Sequence, residues 1–301
     1  MTDHRRPLDA SAVGAMVLLS ALWGFQQIAV KLAAPDVSLV MQGALRSLIA
    51  AALLLVWARV RGIPLAERDG TLRPGLVAGL AFAAEFGLIY AGLAHTTAAR
   101  MVVFLYLAPC LTALGLSLFV PGERLRAVQW IGIALAFAGI VLAFADGFAA
   151  PDRATLVGDA LGALAALLWS ATTVLIRATS LARISATKVL FYQLAVSAAL
   201  LPLASLALSE PGVRAWTPIA VASLLYQSAV VAFASYLTWF WLLTRYLAGR
   251  LAVFSFLTPL FGVAFGRLIL ADPVSPALLG AAAMVGAGIA LVNLPPAGRR
   301  S

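Results

Sequence analysis

The sequence predicts an all-α membrane protein of ten transmembrane helices, arranged as two inverted five-helix repeats. Three observations predict it. Of 301 residues, 63% are hydrophobic and only 11% charged, where an ordinary soluble domain carries about 25% charge; the mean hydropathy is +1.00. The apolar residues fall in uncharged runs of about 20, the length of a membrane crossing, which leaves room for roughly ten crossings and no soluble catalytic domain. The runs of the first half return, with matched residues, in the second. The composition also excludes disorder, which needs few apolar residues and many charges. The single cysteine, Cys110, forbids an intrachain disulfide.

The first run, 11–33, follows the basic tail of Arg5 and Arg6 and reaches Lys31. Pro35 and Asp36 then lead straight into the second run, 37–58, rather than into a polar mature domain, which argues against a cleaved signal peptide. That second run holds Arg46. The third, 73–94, comes after Arg59, Arg61 and Arg68 and holds Glu85. The fourth, 96–119, starts across the short turn at His95 and carries Pro109. The fifth, 126–145, is glycine-marked at Gly132 and Gly139. In the second half, 156–178 holds Trp169, 186–208 follows, and 217–244 sits in a stretch, 215–244, without any charge. One tilted helix or a helix plus a re-entrant piece both fit that length. Run 250–271 carries Pro259 and Arg267, and 275–294 closes the chain with Gly280, Gly286 and Gly288.

Ten crossings put both termini on one side. If that side is the cytoplasm, it receives most of the 21 lysines and arginines, while the other side receives only Lys31, Arg100, Arg153 and Arg214. The bias obeys the positive-inside rule. It predicts a multi-pass membrane protein with both termini cytoplasmic. It also accounts for the net charge of +9 without a nucleic-acid partner.

The internal repeat rests on register. Trp23 falls near Trp169, each in the first helix of its half. With a shift of 150, Ala98-Ala99-Arg100 meets Ala248-Gly249-Arg250, Val103-Phe104 meets Val253-Phe254, and Pro109 meets Pro259. Glu123 and Asp272 follow the prolines at nearly equal distance. The first unit is then 1–150 and the second 151–301. Five crossings is an odd number, so the second unit enters the membrane from the opposite side. Inverted repeats of this kind belong to transporters, whose halves rock about a site near the midplane.

The matched residues resemble those of the drug/metabolite transporter superfamily, EamA type. The resemblance runs over about residues 10–295. It is carried by Ser20-Ala21-Leu22-Trp23-Gly24, Arg46, Ala98-Ala99-Arg100 with Pro109 and Glu123, and Gly158-Asp159 with Trp169. Asp272, where relatives often have Glu, and the Pro121-Gly122-Glu123 turn depart from the pattern. The resemblance implies a basket of ten helices whose first, third, fourth, sixth, eighth and ninth members wall the site. It implies alternating-access transport, and many relatives export amino acids or related metabolites. The expected function is therefore a secondary transporter exporting such metabolites across the inner membrane. Efflux of hydrophobic cations is the alternative. A membrane-embedded lipid-modifying enzyme is a further one; it would need two of Glu85, His95 and Asp159 within hydrogen-bond reach.

Glu85 is the most informative residue, lying roughly 18 Å into its helix at 1.5 Å per residue. A carboxylate so deep is costly unless paired, protonated or wetted, so a functional role is the default. It suits a substrate amine or a transported proton, with a structural ion pair as the plain alternative. Arg46, at similar depth, can clamp a substrate carboxylate through its planar fork or neutralise Glu85 and bridge helices. Trp23 and Trp169 lie away from the interfacial belts where tryptophan concentrates; they suit cavity walls or helix packing. Gln27, Tyr90, Tyr106 and Tyr226 are further lining candidates that can equally tie helices together. Pro109 and Pro259 each remove a backbone donor and read as kinks, fixed or gating. His4 and His95, with Asp146, Asp152 and Asp159, fit no metal template, and no P-loop or nucleophile elbow appears. No metal or cofactor is expected. The expected partners are the lipid bilayer, a small-molecule substrate and protons, with a monomer plausible and the oligomeric state open.

Overall fold

A computed structural model describes residues 8–93, 95–148, 152–271 and 277–294. Arg5, Arg6, Asp272, Arg299, Arg300 and His4 lie outside the described residues. Among those described, the chain is helical, and the sole β contact is an isolated bridge between Val37 and Val213. The first half holds α1 (Ala10–Ala33), α2 (Leu39–Val60), α3 (Leu72–Leu93), α4 (Ala98–Leu105), α5 (Ala108–Phe119) and α6 (Ala127–Ala143). The second holds α7 (Arg153–Ala178), α8 (Ala186–Ala207), α9 (Pro218–Leu225), α10 (Tyr236–Arg245), α11 (Ala248–Ala252), α12 (Leu257–Leu270) and α13 (Ala277–Asn293). A π-helix, Tyr226–Ser235, joins α9 to α10, and a 3-10 turn, Val253–Phe256, joins α11 to α12.

Eight helical stretches are long and apolar enough to cross a membrane, with α4–α5, α9–α10 and α11–α12 each counted as one. Two apolar helices, α6 and α13, are shorter at 17 residues, about 25 Å by the helical rise. Large apolar side chains such as Leu18, Val56, Leu203, Leu268 and Leu279 stand exposed on the outside. A soluble monomer does not tolerate such a surface; lipid does.

The run 217–244 is one continuous helical stretch, not a helix with a re-entrant piece. Its middle is wound i→i+5, which shortens a long run. In the fourth run a two-residue turn, Tyr106-Leu107, separates α4 from α5, whereas the ninth run passes through its 3-10 turn without a break. Pro109 sits in the first turn of α5, and Pro259 in the first turn of α12. At Pro109 the missing N–H falls at a helix start, where it would be unpaired anyway; at Pro259 the chain is already helical on the N-terminal side, where the 3-10 turn gives way to α12. Arg267 lies exposed in the last turn of α12, inside the candidate crossing Ala248–Leu270.

Small residues set the packing. A Cβ on Gly24 of α1 would stand 2.7 Å from Phe261 Cβ and 2.8 Å from the Gly262 nitrogen of α12. A Cβ on Gly132 of α6 would stand 2.7 Å from the Gly288 carbonyl of α13. Only glycine allows these backbones to approach so closely.

The first and last described residues share a face. Tyr246 Oη donates to Asp9 at 2.8 Å, Arg126 donates to the Leu294 carbonyl at 2.6 Å, and Ala248 N–H donates to Glu123 at 3.0 Å. On the far face the α1–α2 and α8–α9 loops are clipped together. Glu210 accepts from the Val40 and Met41 N–H groups and from the Ser38 and Ser205 hydroxyls. A carboxylate from the second half thus caps the positive end of α2.

Candidate functional site

Two helices present the same stripe to the centre. On α1 it is Trp23, Gln26, Gln27 and Val30; on α7 it is Trp169, Thr172, Thr173 and Ile176. Both follow the spacing i, i+3, i+4, i+7, one face of a helix. Between them lies a cavity of about 270 Å³, walled also by α3, α4, α5, α10, α11 and the turn before α12. Leu39 of α2, Gln193 of α8 and Thr258 of α12 complete the lining. Val30, Leu39, Leu93 and Ala98, at helix ends on the far face, mark one end of the cavity, termed its rim. Ile176, Phe240 and Ala252 mark the other end, termed its floor.

One side of the cavity is a continuous aromatic wall. Trp23 meets Trp239 and Tyr236 edge-on, at 5.9 and 6.3 Å between ring centres. Tyr236 meets Phe82, Phe82 meets Phe86, and Phe86 meets Tyr90. Trp23 is held by a hydrogen bond of 2.9 Å from Nε1 to Ser235 Oγ, where the π-helix hands over to α10. On the other side Trp169 meets Tyr106 edge-on at 5.9 Å.

Glu85 opens into this cavity. It is buried, and among the described residues it makes no hydrogen bond and no ion pair. Arg46, fully buried on α2, does not line the cavity and does not pair with Glu85. It stands behind Phe86, 4.3 Å from the ring centre. Of the residues expected to line a site, Trp23, Gln27, Glu85, Tyr90, Tyr106 and Trp169 are brought together here, with Pro109 beside them. Pro259 is outside the lining, although its neighbour Thr258 is in it. Tyr226 is also outside: its hydroxyl donates to the Leu22 carbonyl at 2.9 Å, and its ring packs on Phe25.

Ion pairs flank the cavity. At the floor, Arg177, next in sequence to Ile176, pairs with Glu123, which also accepts the Ala248 and Gly249 N–H groups at 3.0 and 3.2 Å. At the rim, Arg100 of α4 pairs with Asp159 of α7. Thr96 Oγ1 donates to the same carboxylate at 2.8 Å, and the Arg100 guanidinium covers the Phe148 ring. His95 is exposed beside this rim. Among the described residues no three His, Cys, Asp or Glu side chains gather as metal ligands do.

The sequence reading missed Phe82, Tyr236, Trp239, Thr172 and Thr173. The threonines were findable: they stand three and four residues after Trp169, as Gln26 and Gln27 stand after Trp23. The aromatic residues carried no such signal.

The chain matches the model of a family described as the EamA-like transporter family over residues 10–145 and 156–294. It is 26% identical over 208 residues to the uncharacterized transporter YvbV of Bacillus subtilis (strain 168), across 69% of this chain and 67% of that one. It is 21% identical over 275 residues to the uncharacterized transporter YoaV of the same organism, across 91% of this chain and 94% of that one. A solved crystal structure aligns with a TM-score of 0.80 at 25% identity, covering 94% of this chain and 98% of its own.

Proposed function

The chain belongs to the EamA-like transporter family, and from that premise we propose that it is a secondary transporter exporting small organic amines or cations across the bacterial inner membrane by alternating access. Glu85 is the observation that carries the reading. A buried carboxylate without a partner, open to a cavity, demands a counter-charge or a proton. Aromatic faces around it add cation–π attraction. Amino acids supply an amine for Glu85, but the described lining holds no Lys, Arg or His for their carboxylate. Cations with an apolar body need no such group. The lining thus favours hydrophobic-cation efflux over amino acid export, which stands as the competing reading. A lipid-modifying enzyme has less support. Glu85 and His95 are about 15 Å apart along the α3 direction, and Asp159 is engaged by Arg100 and Thr96.

The two units, 1–150 and 151–301, are the moving halves in this proposal. Ten crossings follow if α6 and α13 span a thinner part of the bilayer. The matching stripes on α1 and α7, the two stretches of family match and the shared face of the chain ends all support an inverted repeat.

Counterflow in proteoliposomes tests the substrate class. Radiolabelled benzyltrimethylammonium should accumulate and L-phenylalanine should not; the reverse result moves the reading to amino acid export, and accumulation of neither sinks both. Glu85→Gln should lower cation uptake about a hundredfold, as loss of a buried charge partner worth roughly 3 kcal/mol does. The same assay run with and without a pH gradient tests proton coupling.

A further inference from the structure

Arg46 is 1% exposed, and none of its three guanidinium nitrogens makes a well-formed hydrogen bond, the Tyr236 phenol being only a loose hydrogen-bonding neighbour. Stacking on Phe86 recovers only part of what a buried charge loses without acceptors. The groups that act on it electrostatically are the Glu85 carboxylate and the Tyr90 and Tyr236 phenols. Glu85 is the one carboxylate among the described lining residues. It precedes Phe86 on α3, so the ring that screens Arg46 from the cavity is the next residue along. Both members of a charge pair are therefore present, each unpaired, with one aromatic side chain between cation and cavity.

We propose that Arg46 is an internal counter-ion that competes with the transported cation for Glu85. In the open cavity Phe86 keeps the two apart. When the cavity closes without cargo, the Phe86 ring turns aside and the guanidinium pairs with the carboxylate. The inference rests on the cation-transport reading and involves no covalent step. A lone carboxylate in a closed, dry cavity is strongly disfavoured. A bound cation relieves it on the loaded crossing, and Arg46 relieves it on the empty one. Exchange of cation for cation uses loaded crossings only. Net efflux needs one empty return per cycle, so Arg46 matters to net efflux and not to exchange.

The test compares both modes in proteoliposomes with radiolabelled benzyltrimethylammonium. Arg46→Gln should leave exchange within about twofold of the parent and slow net efflux about tenfold or more, while Arg46→Lys, which keeps the charge, should restore net efflux to within about threefold. Equal loss of both modes at an unchanged melting temperature overturns the inference, because Arg46 then shapes the loaded site. Undiminished net efflux overturns it as well. If Arg46→Gln does not fold, Arg46→Met, which keeps the length without the charge, carries the same comparison: exchange should stay within about twofold of the parent and net efflux should fall about tenfold or more; undiminished net efflux refutes the competition. Glu85→Gln separates the levels. If it transports like the parent, or if the parent does not exchange the probe, the cation-transport reading itself has failed.

Discussion

At Glu123 one carboxylate takes the Arg177 guanidinium and two backbone N–H groups, and both side chains of the ion pair are only 1% exposed. Removing one partner of such a pair costs about 3–5 kcal/mol, since the charge left behind has no water. Arg177→Ala should lower the melting temperature in detergent by about 10 °C; a change within a degree or two would mean that the pair does not hold the floor. The polar loops behave differently. The hydrogen bond from Lys188, aided by Thr71, holds the Asp69 carboxyl down at about 2. A folded-state value below the unfolded one means that the tether is at full strength above the ordinary carboxylate range and is lost as pH falls toward 2. Amide protection over residues 63–71 should thus be level from pH 7 to 5 and fall only below about pH 4. Single residues were unequally legible in the sequence. Glu85 stood out because a charge in an apolar run has few harmless explanations. Tyr236 and Trp239 did not, because an aromatic side chain in such a run reads alike whether it faces lipid, a neighbour or a cavity.

Between helices the decisive feature is how closely backbones approach. Gly24→Ala would put a methyl 2.9 Å from the Thr258 carbonyl and closer still to Phe261 and Gly262. The helices α1 and α12 would have to separate, at about 1–3 kcal/mol. Gly14, in the same helix, faces nothing within 4 Å, and there Ala should stabilise by up to about 1 kcal/mol through helix propensity. Melting curves of the two variants should move in opposite directions; a shared direction refutes the close-packing account. The existence and order of the elements were legible because a membrane crossing must be apolar throughout. Their interruptions were legible only where proline marked them. Pro109 and Pro259 announced a disturbance, but whether it bends a helix or begins a new one depends on what packs alongside. The π-helix over Tyr226–Ser235 has no compositional mark at all; its register follows from the neighbours it must meet, such as Trp23 at Ser235.

At the scale of the whole molecule, charge sets orientation. The positive-inside bias places the face of the chain ends in the cytoplasm. In a Cys110→Ala background, an impermeant maleimide applied to intact cells should label His95→Cys and spare Arg61→Cys, since both positions are exposed; the opposite pattern inverts the topology. Charge distribution made this arrangement legible at a distance, because loops differ in charge even when helices do not differ in composition. The cavity was not legible in the same way: its walls come from residues hundreds of positions apart, and only the packed helices determine which faces converge. That convergence has a practical outcome. Three of the seven tryptophans, Trp23, Trp169 and Trp239, stand on the cavity wall. Indole emission responds to local polarity and to quenchers, so the native protein carries its own optical sensor, and a candidate cargo can be recognised by titrating its fluorescence with no label attached.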